Sequence, residues 1–104
     1  DFNKKGNLDR YSAPSNTYKA KNGFIHIMAG SNDRFYGLAM AMNKKNLIES
    51  ALYKSAEKRL ENIKSIDKIV EQWTKKYTVS ELGKKLTKFS VPWGKVRKFS
   101  DFLK

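Results

Sequence analysis

The side chains able to carry chemistry in this chain are one histidine, ten carboxylates and twenty-two lysines and arginines, with no cysteine. An imidazole that moves protons needs an orienting partner, and one that holds a metal needs further ligands. His26 is the only histidine, so it is read as a half-buried polar residue on a strand, and no metal site is expected. The lack of Cys removes disulfides, thiolate catalysis and structural zinc, and agrees with a cytoplasmic setting. No Walker loop, G-x-G-x-x-G or H-E-x-x-H is present, which leaves nucleotide-fold and zinc-protease readings without a motif.

Charge raises a different class of function. The formal net charge is +12 and the pI is near 10.0, values that call for a test of nucleic-acid binding. Eighteen of the twenty-two cations are Lys, and only Arg10, Arg34, Arg59 and Arg97 are Arg. Base recognition leans on the bidentate guanidinium. The lysines are also spread along the chain in pairs such as Lys44-Lys45, Lys75-Lys76 and Lys84-Lys85. They read as a solvated basic surface, with attraction of anionic ligands as the second reading and a basic nucleic-acid-binding module as the third.

These groups need elements to position them, and the stretch Tyr18 to Met42 supplies the first. Asn22-Gly23 lies between two apolar runs and predicts a type I′ hairpin, because both residues tolerate positive φ. A strand follows from Phe24 to Ala29. Gly30-Ser31-Asn32-Asp33 then offers side-chain acceptors to the free amides of a helix start, and Asp33 suits the positive end of that helix. Phe35, Leu38, Ala39 and Met42 share one helical face; Met28, Met40 and Met42 are read as core fillers.

Asn43 to Ser55 reads as a short helical turn and a connection. Beyond it Leu60, Ile63, Ile66, Val70, Trp73 and Tyr77 recur at steps of three or four, the mark of a helix with one apolar face. A helix restart is placed at Ser65 to Asp67, and Trp73 and Tyr77 are read as core aromatics. Thr78-Val79-Ser80-Glu81 is a capping box. It opens a helix that buries Val79, Leu82, Leu86 and Phe89. Val91 to Val96 is expected as an edge strand, since Pro92 has no amide to donate, and Phe99 to Leu103 as the start of a last helix.

The resulting fold class is α+β: a small antiparallel sheet of about three strands, with the hairpin near 17–29 and a strand near 91–96, covered by several helices. A chain of 104 residues is one domain, able to bury roughly two thirds of its unfolded surface. Residues 1–15 show no sustained period and are read as an interdomain arm or loop; residues 16–104 form the domain. The chain starts at Asp1 without Met and stops inside an expected helix, as an excised piece of a longer enzyme would. No run approaches the roughly 20 apolar residues of a membrane span, so no membrane partner is expected.

Several of these fragments occur together in a known order. The turn, the apolar strand and Gly30-Ser31-Asn32-Asp33-Arg34-Phe35 resemble the small domain of the family III CoA-transferases, the CaiB/BaiF-like enzymes that include α-methylacyl-CoA racemases and formyl-CoA transferases. Upstream, GNLDRYSAPSNTYKAKNG is similar to the family's Gly-Asn, Ala-Pro, Tyr and turn series. Downstream, Arg59 and Asn62 fit an R-x-x-N, and Trp73, Glu81-Leu82 and Val91-Pro92-Trp93-Gly94-Lys95-Val96 fit its W, EL and VPxGxV. The resemblance covers nearly the whole chain.

The resemblance implies that the parent enzyme moves coenzyme A between carboxylic acids. A missing Rossmann-like large domain would carry the CoA site and an Asp that forms an acyl anhydride and then a CoA thioester. None of Asp1, Asp9, Asp33, Asp67 or Asp101 stands in a matching context, so no catalytic residue is assigned here. The small domain would act as a cover and a dimer contact. Acyl-CoA and carboxylic acids would be the substrates, the large domain the partner, and the parent an interlocked homodimer. The isolated fragment is expected to be monomeric, inactive and without a bound cofactor. Where some formyl-CoA transferases carry a glycine run over the reacting centre, this chain has Asp9-Arg10-Tyr11-Ser12, which argues against that activity and makes Arg10, Tyr11 and Ser12 the substrate-facing candidates. Racemase-like members often carry a Glu in a GAIE-like sequence where this chain has Ser31-Asn32-Asp33, which favours transferase over racemase.

Overall fold

A computed structural model describes residues 11–96. Two strands open it, β1 (Ser15–Ala20) and β2 (Gly23–Met28), paired antiparallel from Ser15 opposite Met28 to Ala20 opposite Gly23. The chain then leaves the sheet through α1 (Asn32–Ala41), a 3-10 turn (Lys45–Glu49), α2 (Ala56–Glu61), α3 (Ile63–Thr74) and α4 (Val79–Lys88). It returns as β3 (Trp93–Val96), antiparallel to β2 with Ile27 opposite Trp93, which gives the order β1-β2-β3. The α+β class and the three-stranded antiparallel sheet are those read from the sequence.

Periodicity explains which surfaces meet. Strand side chains alternate between faces, and one face buries Tyr18, Ala20, Ile25 and Ile27. The other carries Thr17, Phe24, His26 and Met28, all half-buried. Helix α3 adds Ile66, Val70 and Trp73 to the core, α4 adds Val79, Leu82 and Leu86, and α1 adds Phe35, Leu38 and Met42. Each such side chain contributes roughly 1.5–3 kcal/mol when fully buried. That magnitude exceeds any local propensity and sets where the helices lie.

The outer rim of β1 is closed by α3. The Lys19 amide donates to Glu71 Oε2 at 2.8 Å, and Thr74 Oγ1 donates to the Lys19 carbonyl at 2.7 Å. One helix thus satisfies backbone groups that an edge strand would otherwise leave to solvent or to another chain. Nearby, Tyr18 Oη donates to Asp67 Oδ1 at 2.6 Å and Asn16 Nδ2 to Oδ2 at 3.4 Å.

Four local expectations need correction. The hairpin loop is Lys21-Asn22, because Ala20 already pairs with Gly23. Neither loop residue has positive φ, while Gly23 sits at +157°; the turn is therefore not the type I′ turn expected for Asn22-Gly23. Tertiary bonds decide this: the Lys21 amide donates to Tyr77 O at 2.8 Å, and Asn22 Oδ1 accepts from the Val79 amide at 2.9 Å. The helix break falls at Asn62, not at Ser65 to Asp67. Asn62 leaves the helical region (φ −113°, ψ 38°) and its Nδ2 donates to Leu52 O and Lys58 O. Strand β3 begins at Trp93, although the Pro92 carbonyl already accepts from the Met28 amide at 3.1 Å. Within the expected arm, Ala13 and Pro14 are fully buried and Ser15 already belongs to β1. The helix expected at Phe99 to Leu103 lies outside the described residues, among which no helix is long and apolar enough to cross a membrane.

Candidate functional site

The turn from β2 into α1 is where three chain segments converge. Ser31 caps α1, its Oγ accepting from the Arg34 amide at 3.3 Å, and Asp33 occupies the first helical turn. Gly30 is buried in the same turn, and the space a Cβ would need there is filled by Ser12. The incoming segment therefore lies directly on the turn. The Ala29 amide fixes it further by donating to Pro14 O at 2.8 Å.

Arg59 of α2 holds this arrangement from below. It is only 1 % exposed. Its Nε donates to Ala13 O at 3.1 Å, Nη1 to Tyr53 O at 2.9 Å, and Nη2 to Gly30 O at 3.0 Å and to Asn32 Oδ1 at 2.8 Å. The guanidinium also lies over the Phe35 ring, 4.4 Å from its centroid. Burial lowers its pKa from the ordinary value, yet an arginine stays charged throughout the working pH range. The cation is thus balanced by carbonyl dipoles, an amide oxygen and a ring face; no carboxylate is among these partners. Four of its five N–H groups are already engaged, which makes it a positioning residue and not a ligand for substrate.

Sequence reasoning missed this hub. It singled out Arg59 and Asn62 only as an R-x-x-N resemblance, and the structure supplies the reason for that spacing. Asn62 Nδ2 binds Leu52 O while Arg59 Nη1 binds Tyr53 O. Two side chains three residues apart thus grip consecutive carbonyls and hold the connection before α2.

Of the substrate-facing candidates, Tyr11 is 95 % exposed and Ser12 is half-buried against Gly30. Arg10 lies outside the described residues. The structure brings Ser12 against Gly30, next to the start of α1, where Asn32 and Asp33 are exposed. His26 is elsewhere, on the sheet, with its Nδ1 3.0 Å from Thr17 Oγ1. Trp73 is buried in the core and Tyr77 half-buried beside it, their rings 5.9 Å apart. Among the described residues no group of three or more His, Cys, Asp or Glu is placed to hold a metal.

Comparison with known proteins places this fold in a family. The profile of CoA-transferase family III matches residues 1–104, and the chain belongs to that family. A succinyl-CoA–D-citramalate CoA-transferase of Chloroflexus aurantiacus is 28% identical over 92 residues, covering 88% of this chain and 23% of that protein. The crystal structure of a CAIB/BAIF family protein from Brucella suis superposes with a TM-score of 0.79 at 23% identity, covering 86% of this chain and 24% of that one. Rv3272 from M. tuberculosis superposes at 0.77 and 18% identity, covering 92% and 27%. At these identities the two structures establish the fold. The chain spans about a quarter of the length of each of these relatives.

Proposed function

We propose that this chain is the small domain of an enzyme transferring coenzyme A between carboxylic acids, an acyl-CoA:carboxylate CoA-transferase. The observation that carries this reading is the family match over residues 1–104, joined by a relative whose name states that activity. The nucleophilic Asp and the CoA site belong to the large domain of the parent protein. The small domain covers that site and contributes to an interlocked homodimer in the cytoplasm. Alone, it is monomeric and inactive.

The clamp gives the small domain its part in the work. Ala13 and Pro14 are tied to Arg59 and Ala29, so the segment that carries Tyr11 and Ser12 leaves the domain from a fixed point. Fixing one end of a substrate-facing segment reduces the freedom it must lose when substrate is enclosed. Arg10, Tyr11 and Ser12 contact the substrate acyl group or carboxylate, and Arg59 positions them.

The test uses the full-length parent protein, with succinyl-CoA as first donor and D-citramalate as first acceptor, followed by a wider set of carboxylic acids. Time-dependent exchange of CoA between acids is expected. Epimerisation of a 2-methylacyl-CoA without any CoA exchange would instead establish the racemase alternative and end the transferase reading.

A further inference from the structure

At the far end of α1 from the Arg59 clamp, about 15 Å along the helix axis, the surface opens into a cleft of about 490 Å³. That volume lies within the range of small-molecule sites. Its floor is apolar, formed by Met42, Leu47, Ile69 and Trp73. Lys44, Lys76 and Lys85 line it with the amide side chains of Asn43, Asn46 and Gln72, and no Asp or Glu is among the lining residues. None of the three lysines is in a direct ion pair among the described residues; Lys85 lies over the Tyr77 ring, 4.6 Å from its centroid, and acts on the Glu81 carboxylate, outside the lining, at longer range.

A plainer account of these lysines is that they offset the C-terminal ends of α1 and α3, both of which reach the cleft. Each helix end carries roughly half a negative charge. Two ends together offset about one of the three lysines, and the cleft stays positive. The walls combine the end of α1, the 3-10 turn, α3 and α4 with the turns that follow α1 and α3, which carry Lys44 and Lys76. Asn43, at φ +59°, turns the chain sharply at the rim.

We propose that this cleft binds an organic phosphate of nucleotide size, with the phosphate chain on Lys44, Lys76 and Lys85 and the body of the ligand on the Met42, Leu47 and Trp73 floor. Amide groups that both donate and accept suit the edge of a heterocycle. The inference stands on the cleft alone and does not depend on CoA transfer. Two sources share this chemistry, a free nucleoside diphosphate and the nucleotide end of coenzyme A.

Amide NMR titration of the chain tests the proposal, using ADP, CoA, pantetheine, inorganic pyrophosphate and a short DNA duplex as probes. ADP and CoA are expected to shift the same set of amides, around Asn43 to Leu47, Gln72, Tyr77 and Lys85, saturating below ~1 mM; pantetheine should shift none. Tighter binding of CoA than of ADP identifies the coenzyme as the source, and equal binding identifies the free nucleotide. The double substitution Lys76→Gln with Lys85→Gln should weaken ADP at least ~10-fold, with Lys44→Gln as the second variant and Lys64→Gln, on the exposed side of α3, as the unchanged control. Pyrophosphate binding as tightly as ADP would reduce the cleft to a bare anion site and overturn the proposal. So would DNA shifts spread over lysines outside the cleft, or the absence of saturation with ADP and CoA alike.

Discussion

Four N–H groups of Arg59 close on oxygens drawn from Ala13, Tyr53, Gly30 and Asn32. Hydrogen bonds to a charged donor contribute about 1.5–3 kcal/mol each, and a buried acceptor left without its donor costs a comparable amount. Lysine would keep the charge but offers a single point in place of a planar fork, so it cannot reach three segments at once. Arg59→Lys is therefore expected to lower the unfolding free energy by about 3 kcal/mol or more, read from urea denaturation. In the full-length enzyme the same change should release the segment bearing Tyr11 and Ser12. The residue types at this site were visible in the sequence, and their convergence was not. Ala13, Gly30 and Tyr53 contribute main-chain oxygens, which any residue possesses, so no pattern of side chains announces them.

Elements whose ends are fixed by their own residues were legible, and those fixed from a distance were not. The α4 start was read correctly because its parts lie within four positions: Thr78 Oγ1 accepts from the Glu81 amide at 3.1 Å, and Glu81 Oε1 accepts from the Thr78 amide at 2.9 Å. The apolar faces of α3 and α4 were equally local. The hairpin loop and the break at Asn62 were misread because Tyr77, Val79 and Leu52 decide them from other elements. The capping box also has a pH signature. The bond from the Thr78 amide, aided by the Thr78 side chain and by Lys21 and Lys85, holds the Glu81 carboxyl below its ordinary pKa. A carboxylate depressed on folding stabilises the native state fully above its unfolded pKa, about 4.3, and loses that contribution as pH falls through the folded value. Glu81→Gln keeps an acceptor but cannot titrate. The Tm difference between the native chain and E81Q should hold steady above about pH 5 and shrink below about pH 4.

Across the whole molecule, the alternation of β1 and β2 and the three- and four-residue steps of the helices were enough to define a small antiparallel sheet with helical cover. The order of short motifs tied that fold to one family. Basic charge was the poorest guide at this scale. The net value of +12 describes the surface as a sum, whereas the cleft between α1, α3 and α4 depends on which three lysines line it. The seal that α3 forms along β1 has a consequence in time as well as in space. Strands at the rim of a sheet ordinarily surrender their amide hydrogens to solvent deuterium early, through fraying that leaves the interior intact. Here the Lys19 amide can open only if Glu71 lets go, so rim and helix separate as one cooperative unit. Deuterium uptake at Lys19 should therefore be as slow as at the central residue Ile25, and Glu71→Ala should accelerate Lys19 alone. Early exchange at Lys19 in the native chain would mean that the strand and the helix come apart independently.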